Sequence, residues 1–467
     1  MPLHIKGAAL NNYQPQMTCS DEQRAAIAYL RTPAAIRERC DRLFTLACAD
    51  QLHYFRCNLT QLDAVANYVI EVMRDEYPDL NIPFHSRWRH FEVGNVPRLA
   101  ELEQHLAGFT PLEKAKAKFD LAIVSVLLDA GAGADWQYCE QETDLVFRRS
   151  EGLAVASFRM FCQGAFSSDP EGPLQVDVLG LLGLTLPKLA QGFQVSQANP
   201  LLGVEGRLEL LQRLGQSLVA LPQLFGADNP RPGNLVNYLL SEASEEGETF
   251  TPLPSHALSS WTTGGVAGWG LPRSVAPKAS QVRKQVAAST VLSAVLEGLG
   301  TIWPGREAIA NVNLGDVWRH SALKGDSLGT PYVPFHKLSQ WLTYSLLEPL
   351  QELDLEITGL NELTGLAEYR NGGLCLDLGL LEVKDTALLQ ARHLPGSEFI
   401  VEWRALTVSS LDRIAAAIRQ KLNLNEAQLP LVKVLQGGTW TAGRRIAAQF
   451  REGGVPPIQI ESDGTVF

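Results

Sequence analysis

The sequence predicts a mainly α fold, of the α+β type with minor strand content near the C-terminus. Apolar residues recur at helical spacing along most of the 467 residues, whereas β-branched runs are few and come late. Cap-forming residues precede many of these segments, and Gly or Pro follows them. We expect one large unit, 1–467, and the alternative is two lobes, a helical one over about 1–240 and one with short strands over about 260–467.

The first helices carry clear start signals. Thr32 can cap a helix whose first turn holds Pro33, and apolar residues then repeat at helical spacing. Thr60 with Asp63 resembles a capping pair for a second helix, which Pro78 closes. Both segments are therefore predicted to be helical.

The stretch NIPFHSRWRHFEVGN, residues 81–95, has no clear period and concentrates histidines, arginines and a tryptophan. Helical patterns return afterwards, in PRLAELEQHLAG, TPLEKAKAKFDLAIVSVLLDA and SEGLAVASFRMFCQGAF. Arg87 and Arg89 stand at alternating positions of the irregular stretch. They form the best candidate pair for binding a phosphate, and a surface salt-bridge patch is the alternative.

The second half mixes segment types. Helices are expected in GVEGRLELLQRLGQSLVALPQLFG, in KASQVRKQVAASTVLSAVLEGLG and in HKLSQWLTYSLLEPLQEL. SEASEEGETFTPLPS is predicted to be an exposed acidic loop, and residues 261–274 a Gly/Trp-rich irregular segment. EFIVEWRALTV is either a strand or the opening of the helix that follows it.

Bulk composition excludes several function classes. A net charge of −11 argues against a general nucleic-acid binder, which needs a basic face. The apolar stretches are shorter than the ~20 residues of a membrane helix, so no membrane span is expected. The seven scattered cysteines and the lack of a signal-peptide pattern predict a reduced, cytoplasmic protein.

Cofactor and metal motifs are absent from the sequence. It contains no GxGxxG fingerprint, no GxxxxGK(S/T) phosphate loop, no HExxH pair and no GxSxG elbow. His53 and Cys57 are one helical turn apart, but no second ligand pair accompanies them. We therefore expect neither a metal nor a cofactor, and chemistry that rests on carboxylates, histidines and arginines.

The stretch LLDAGAGADW, residues 127–136, is the first site candidate. Asp129 ends an apolar helix, and a carboxylate that is partly buried there needs a partner or a function. The alternative is a cap for the following turn. Asp135 follows small residues that let a ligand approach the backbone, or it is an ordinary loop residue. Trp136 either stacks on a planar ligand or fills the core.

Several long phrases carry a family resemblance: YLRTPAAIRERC, LLDAGAGADWQY, RSEGLAVASFRMF, GTIWPGR, LPGSEFIVEWRALTV and GGTWTAGRRIAAQFREGGVPPIQIESDGTVF. Over essentially the full chain, the sequence resembles the Urc-four/Urg-three uracil-catabolism family. The resemblance implies a pathway that converts uracil to its ribonucleotide and then opens the pyrimidine ring. It implies a later step on an N-ribosylurea product, which releases urea.

A second, shorter likeness implies a reaction type. The queuosine-salvage nucleosidases are similar in an apolar helix that ends in an Asp, with a Trp seven residues on, which correspond to Asp129 and Trp136. That group is mainly α, is related to helical DNA glycosylases and cleaves N-glycosidic bonds. Its acidic residue before the late helix falls near VPFHKLSQ, where this chain has His336 and Lys337. The general base is therefore unassigned.

The expected reaction is N-glycosidic hydrolysis of N-ribosylurea or its 5′-phosphate, a small ribosyl substrate. Its oxocarbenium-like state needs a carboxylate, and the departing nitrogen needs a proton donor. The candidate catalytic residues are Asp129, Glu402 and His336. The candidate substrate-binding residues are Asp135, Trp136, Glu151, Lys337, Arg404, Arg370, Tyr369, Arg87 and Arg89. The alternatives are hydrolysis at the ureido carbon and a non-enzymatic partner of the ring-opening enzyme.

Several of these candidates have a second interpretation. Glu402 is a substitute for the missing carboxylate or pairs with Arg404, and Glu398 shares its face in either a helix or a strand. His336 has a pKa suited to a general acid, or it is a packed structural residue. Glu151 begins a helix whose amide end attracts anions, or it merely decorates the helix start. Tyr369 and Arg370, in EYRNGG, either bind the substrate or only support the glycine turn that follows them.

Overall fold

The computed structural model describes residues 19–133, 135–245, 283–303 and 306–461. These residues are mainly helical with small sheets, which confirms the predicted mainly α class. The Gly/Trp-rich segment 261–274 and the acidic loop beyond residue 245 lie outside the described residues, as does Ala134. Among the described residues, no helix has both the length and the apolar character that crossing a bilayer demands.

The α-helices follow one another along the described chain, and they vary from single turns to seven turns. They are α1 (Asp21–Leu30), α2 (Pro33–Cys48), α3 (Leu62–Glu76), α4 (Arg87–Phe91), α5 (Arg98–His105), α6 (Pro111–Leu127), α7 (Arg149–Cys162), α8 (Val178–Leu182), α9 (Leu186–Gly192), α10 (Val204–Ala220), α11 (Pro222–Phe225), α12 (Leu235–Glu242), α13 (Ala288–Leu299), α14 (Lys337–Gln351), α15 (Tyr369–Asp377), α16 (Glu398–Leu422), α17 (Leu431–Val434) and α18 (Trp440–Phe450).

The strands are short and form two- and three-stranded sheets. They are β1 (Phe55–Cys57), β2 (Gln137–Glu140), β3 (Leu145–Arg148), β4 (Ser244–Glu245), β5 (Lys284–Ala287), β6 (Ala308–Ile309), β7 (Val312–Asn313), β8 (Val317–Arg319), β9 (Tyr332–Pro334), β10 (Glu356–Thr358), β11 (Leu381–Val383), β12 (Arg392–His393) and β13 (Gln459–Ile460). Strands also occur in the first half, where Tyr138 of β2 pairs with Phe147 of β3 and both rings are buried.

The helix starts agree with the cap signals in one case and not in another. The Thr32 hydroxyl accepts a hydrogen bond from the Ala35 N–H at 3.1 Å, with Pro33 in the first turn, as predicted. The predicted Thr60–Asp63 capping pair is wrong. Thr60 donates to the Asn58 side chain at 2.6 Å, and a 3₁₀ turn precedes the start of α3 at Leu62.

Two ambiguous segments are now resolved. EFIVEWRALTV opens α16, so the helical alternative is confirmed, and α16 buries residues on all sides over its first three turns. Such a helix belongs in the middle of a core. The long helix expected over residues 278–300 is shorter than predicted. Residues 284–287 form β5, which pairs in parallel with β10, and α13 starts only at Ala288.

Elements from both ends of the chain share one core. Helix α2 packs along α16, α3 also packs on α16, and α6 packs on α14. Strand β1 pairs antiparallel with β11, more than 300 residues later. One apolar cluster runs from Ile36 to Ile458. Side chains from distant parts of the sequence therefore meet where these helices cross.

Candidate functional site

Asp129 forms a buried ion pair with Arg87. Helix α6 ends at Leu127, and the Oδ2 atom of Asp129 accepts a hydrogen bond from Arg87 Nη1 at 2.8 Å. The two side chains are 5% and 0% exposed. Within the described chain, no group donates a hydrogen bond to Oδ1 of Asp129. The carboxylate is thus held by one oxygen and leaves the other for a ligand.

Arg87 is fixed by the surrounding helices rather than being free to bind phosphate. Its Nε donates to the Ser125 hydroxyl at 2.7 Å, and its Nη1 also reaches the Ser150 carbonyl at 3.3 Å. Its backbone N–H donates to the Ser345 hydroxyl at 2.9 Å. These contacts come from α6, α7 and α14, so three helices position the guanidinium beside Asp129.

The small residues after Asp129 follow a course set by a second buried arginine. Arg207 of α10 donates from Nε to the Leu128 carbonyl at 2.9 Å and from Nη2 to the Ala130 carbonyl at 2.8 Å. Burial lowers the pKa of Arg207 to about 10, and the charge of Asp129 acts in the opposite direction. Arg207 therefore holds the backbone on both sides of Asp129, just after the end of α6, and this fixes Asp129 in place.

Lys337, Glu368 and Tyr369 lie within electrostatic range of the same carboxylate or of each other. Burial lowers the pKa of the Lys337 amine, while the charges of Glu368 and Asp129 raise it. The Lys337 ammonium makes no hydrogen bond to the described residues. Burial raises the pKa of Tyr369, which also feels the charge of Asp129. Lys337 and Tyr369 are thus positioned to bind a polar ligand beside Asp129.

Glu368 has a structural task at this point. Its carboxylate caps α15 by accepting hydrogen bonds from the N–H groups of Arg370 at 2.7 Å and Asn371 at 2.6 Å. Burial raises the pKa of Glu368, although these N–H groups and the charge of Lys337 oppose the shift. The cap orients the start of α15, and with it Tyr369.

Four aromatic rings pack against one another, and one of them, Trp341, contacts Arg87; we call His85, His90, Trp341 and Trp440 the ring cluster. Both histidines bridge the two tryptophans. The His90 ring centroid is 5.4 Å from Trp341 and 5.6 Å from Trp440, and the His85 centroid is 6.4 and 6.2 Å from them. The Arg87 guanidinium lies 5.4 Å from the Trp341 ring centroid. Arg87 therefore joins Asp129 to the ring cluster.

The hydrogen-bond network assigns the proton of His85. The Gln436 amide donates to the Tyr77 hydroxyl at 3.2 Å, so its Oε1 accepts from His85 Nδ1, 3.0 Å away. His85 Nε2 is then a hydrogen-bond acceptor. Burial lowers the pKa of His85 to about 4, and burial together with the charge of Arg87 lowers that of His90 well below its ordinary value. Both histidines are neutral at neutral pH.

Three polar atoms in this region are buried without a hydrogen-bond partner among the described residues. They are Arg87 Nη2, His90 Nδ1 and Trp341 Nε1. Leaving such a group unpaired in a folded protein costs ~1–3 kcal/mol, and each case calls for an explanation. All three occur in residues that contact the Trp341 ring or belong to it, which is the physical reason to place a ligand site here.

The rim of this site is rich in arginine. Arg444 donates to Glu151 at 2.6 Å and lies 4.9 Å from the Trp440 ring centroid. Arg370, whose guanidinium lies over the Tyr369 ring, donates to the Gly454 carbonyl at 2.8 Å. Of the predicted residues, Lys337 and Tyr369 lie within electrostatic range of Asp129. Glu151 follows Ser150, whose carbonyl contacts Arg87, and Arg370 follows Tyr369. That these residues bind a substrate stays a prediction.

Helix α18 reaches this rim because it approaches α15 very closely. A Cβ atom on Gly443 would lie 2.2 Å from the Arg370 carbonyl oxygen, so only glycine allows the contact. The preceding segment, Leu435–Thr439, is a π-helix that carries Gln436, and such segments are frequent at functional sites. The segment GGTWTAGRR, part of the family resemblance, therefore brings α18 and its residues Trp440 and Arg444 to the rim.

A carboxylate does lie at the start of α14, although it comes from a different part of the chain. Asp316 accepts two hydrogen bonds from Arg404, at 2.8 and 2.7 Å, and one from the Lys337 N–H at 3.1 Å. Burial acts to raise the pKa of Asp316, but Arg404 holds it well below the ordinary value. Antiparallel pairing of β8 with β9 brings Asp316 to the start of α14.

Two predicted site residues have other positions. Trp136 is fully buried, and its Nε1 donates to the Phe193 carbonyl at 2.9 Å, so the expectation that it stacks on a ligand is corrected to a core role. His336 Nε2 lies 2.9 Å from the Leu30 carbonyl, and burial lowers its pKa. The structural alternative therefore describes His336 better than a general acid beside Asp129.

Glu402 and Arg404 lie apart from Asp129 as well, and they do not pair with each other. The Glu402 carboxylate is 0% exposed and accepts hydrogen bonds from the N–H groups of residues 53–55, at 3.1–3.3 Å. Arg404 binds Asp316 instead. Residues four apart on a helix share a face, and Glu398 and Glu402 do so here. Glu398 accepts a hydrogen bond from the Ser321 N–H, and the neighbouring His320 contacts Glu402. This corrects Glu402 as the catalytic carboxylate.

Asp135 is a surface residue, and Arg89 is partly buried. Asp135 is exposed, whereas Asp129 is almost completely buried. Arg89 pairs with Glu348 at 2.9 Å. Arg87 and Arg89, which alternate in the irregular stretch, lie on a short helix, α4, so their side chains diverge. The phosphate pair is therefore corrected to one fully buried and one partly buried arginine, each with a carboxylate partner.

The described residues contain no group of three histidine, cysteine or carboxylate side chains that could hold a metal ion. Their cysteines are all free thiols. The chemistry available at the site is thus that of a buried carboxylate, an amine, a phenol, neutral imidazoles, indoles and arginines.

The fold and the site define a helical protein with a buried polar centre, in which Asp129 and Arg87 lie between an amine and an aromatic cluster. Residues 29–266 and 271–467 match the family described as "Protein of unknown function (DUF1688)". The chain is 36% identical to "Uracil catabolism protein 4" of Lachancea kluyveri, over 94% of this chain and 99% of that protein. It is 38% identical to "Protein urg3" of Schizosaccharomyces pombe, with the same coverage.

The chain belongs to this family, and the predicted membership in the Urc-four/Urg-three family is confirmed.

Proposed function

We propose that this protein acts in uracil catabolism and hydrolyses the N-glycosidic bond of N-ribosylurea or its 5′-phosphate. The printed name of the relative from Lachancea kluyveri supports the pathway. The observation that carries the reaction is the buried Asp129 carboxylate, which Arg87 holds through Oδ2 while Oδ1 is left for the substrate. A carboxylate in this setting suits a sugar carbon that becomes positively charged.

The reaction assigns separate tasks to the residues around Asp129. The C1′–N bond breaks, and its electron pair goes to the departing ureido nitrogen. Water adds to C1′, and its proton passes to that nitrogen, so the products are urea and ribose. Asp129 stabilises the positive charge at C1′ and orients the water. Lys337 and Tyr369 supply hydrogen bonds to the sugar hydroxyls, since the Lys337 amine makes no hydrogen bond to the described protein.

A 5′-phosphate on the substrate would meet positive charge at the rim. Arg149, at the start of α7, and Arg444, in the second turn of α18, are exposed there, and Arg149 acts electrostatically on Tyr369. Arginine is well suited to phosphate because its planar donors can bind two oxygens together. A lower KM for the phosphorylated substrate would support this part of the proposal.

The experiment that tests the function identifies the products. Purified protein is incubated with N-ribosylurea and, separately, with its 5′-phosphate, with and without added divalent metals, and urea, ammonia and reducing sugar are measured. We expect urea and sugar in equal amounts. Ammonia without urea would indicate hydrolysis at the ureido carbon. Turnover only after addition of the ring-opening enzyme would indicate a non-enzymatic partner.

A further inference from the structure

We propose that the ring cluster is the subsite for the leaving group, and that it selects an uncharged, planar ureido group. This assignment rests on the proposed function, because it divides the same site into two halves. Asp129, Lys337 and Tyr369 form the sugar half. His85, His90, Trp341 and Trp440 form the other half, and Arg87 lies between them, 2.8 Å from Asp129 and 5.4 Å from the Trp341 ring centroid.

The unpaired atoms of the cluster match the hydrogen-bonding groups of urea. A ureido group has one carbonyl oxygen, which accepts, and N–H groups, which donate. Arg87 Nη2 and Trp341 Nε1 are buried donors without a partner among the described residues. His85 Nε2 is an acceptor, because Nδ1 donates its proton to Gln436. His90 Nδ1 is also buried and unpaired, and it supplies one more acceptor or donor.

The charges around the cluster select against a cation. Arg87 is buried beside the rings, and its carboxylate partner, Asp129, is already bound to it. The Lys337 amine also acts on both histidines. A guanidinium group has the shape of urea but would bring a third positive charge near Arg87 and Lys337, where Asp129 is already paired with Arg87 and Glu368 already caps α15. A neutral ureido group meets no such penalty.

The same contacts would assist the chemical step. As the C1′–N bond breaks, the electron pair left on the ureido nitrogen delocalises onto the carbonyl oxygen. Donors aimed at that oxygen stabilise the developing charge before water supplies its proton. Arg87 and Trp341 are therefore assigned two tasks, recognition of the ureido carbonyl and stabilisation of the departing group.

Direct binding of small probes tests the subsite without requiring turnover. Dissociation constants for N-methylurea, N-methylguanidinium and ribose are measured by ligand-observed NMR with the full chain. The proteins compared are the wild type, Trp341→Phe, His90→Phe and the control His105→Phe. Phenylalanine retains an aromatic ring at positions 341 and 90 but removes the polar atoms. His105 is an exposed histidine that pairs with Glu101, so it is a matched control.

We expect N-methylurea to bind the wild type and the His105→Phe control equally, and to bind Trp341→Phe and His90→Phe about tenfold more weakly, which is the effect of one buried hydrogen bond. Ribose affinity should change by less than about twofold, and N-methylguanidinium should not compete. Unchanged N-methylurea affinity in both variants, no binding to the wild type, or a parallel loss of ribose affinity would overturn the assignment.

The two proposals can fail separately. A wild-type protein that binds N-methylurea through Trp341, but releases no urea from ribosylurea, would refute the proposed reaction and leave the ring cluster as a ureido-binding site without a leaving-group role. A protein that releases urea, but whose N-methylurea affinity is insensitive to Trp341 and His90, would retain the reaction and refute the subsite.

Discussion

Asp129 and Arg87 form an ion pair, with 2.8 Å between Oδ2 and Nη1, in which neither side chain is more than 5% exposed. Such a pair is a weak source of net stability, because desolvation offsets most of the attraction. The pair lies between Lys337, Tyr369 and the ring cluster, and its importance there is geometric. It holds the Asp129 carboxylate in a fixed orientation with one oxygen free, and the proposed stabilisation of C1′ depends on that orientation.

Replacing Asp129 by Asn should lower turnover by at least about a hundredfold, because the charge that stabilises C1′ is lost. Asn retains an oxygen that can accept from Arg87, so the fold should persist. The change is measured as kcat for urea release, with a thermal melt to check folding. Asp135→Asn is the matched control, since this exposed carboxylate lies six residues away and should retain full activity. Full activity of Asp129→Asn would make Asp129 a plain helix-end residue.

Arg87→Lys should destabilise the protein by ~1–3 kcal/mol, because buried partners of the guanidinium lose their donors, and should also reduce turnover. Lysine retains the charge but cannot reach Ser125, Asp129 and the Ser150 carbonyl together. The free energy of unfolding is measured by denaturant titration. Arg89→Lys, at a partly buried position two residues later, retains a charge that can pair with Glu348 and should change this free energy by less than ~1 kcal/mol. Equal effects of the two substitutions would contradict the assignment.

Trp136→Phe should affect stability and not substrate binding. The substitution removes the hydrogen bond to the Phe193 carbonyl and leaves that carbonyl unpaired, at a cost of ~1–3 kcal/mol. KM should be unchanged. The free energy of unfolding is measured by denaturant titration and KM by steady-state kinetics. Trp341→Phe should show the opposite pattern, with a raised KM and little change in the free energy of unfolding. A raised KM for Trp136→Phe without loss of stability would return this residue to the binding site.

Glu140 should make part of the stability depend on pH. Its buried carboxylate accepts from Arg98 and Arg159, which with Thr143 hold its pKa at about 2 although burial acts to raise it. A lowered pKa gives stability that is complete above the ordinary value of 4.5 and is lost as the pH falls towards about 2. The free energy of unfolding should therefore fall from pH ~5 to pH ~3.

The test compares how steeply the free energy of unfolding falls with pH in the wild type, in Glu140→Gln and in the control Glu142→Gln. Glu142 is an exposed carboxylate that also pairs with Arg159. Glu140→Gln should be less stable at neutral pH and should show a flatter slope, because the titrating group is gone. The control should resemble the wild type. A slope that is the same in all three proteins would show that other groups cause the acid sensitivity.

The sequence predicted the helical class and the position of Asp129, because both depend on local patterns. An apolar run that ends in an Asp is visible in a single segment, and so are the cap at Thr32 and the helix that follows it. The expected role of Trp136 was corrected because periodicity cannot tell whether an aromatic residue faces the core or a ligand. That distinction depends on the neighbour, Phe193, which is 57 residues away.

The remaining site residues could not be assigned from local patterns. Asp316 reaches the start of α14 only through the pairing of β8 with β9, and Trp440 reaches His90 only because Gly443 lets α18 approach α15. One signal was present in the sequence: His85 and His90 share the irregular stretch that holds Arg87. Without the long-range contacts, no pattern distinguished these histidines from the packed His336.

The fate of solvent oxygen distinguishes cleavage of the N-glycosidic bond from hydrolysis at the ureido carbon. Ribosylurea is hydrolysed by the wild-type protein in water enriched in oxygen-18, at short times so that exchange at the sugar aldehyde is limited, and the products are examined by mass spectrometry. Cleavage of the N-glycosidic bond predicts the label in the sugar and unlabelled urea. Label in carbon dioxide, with ammonia formed and no urea, would contradict the account.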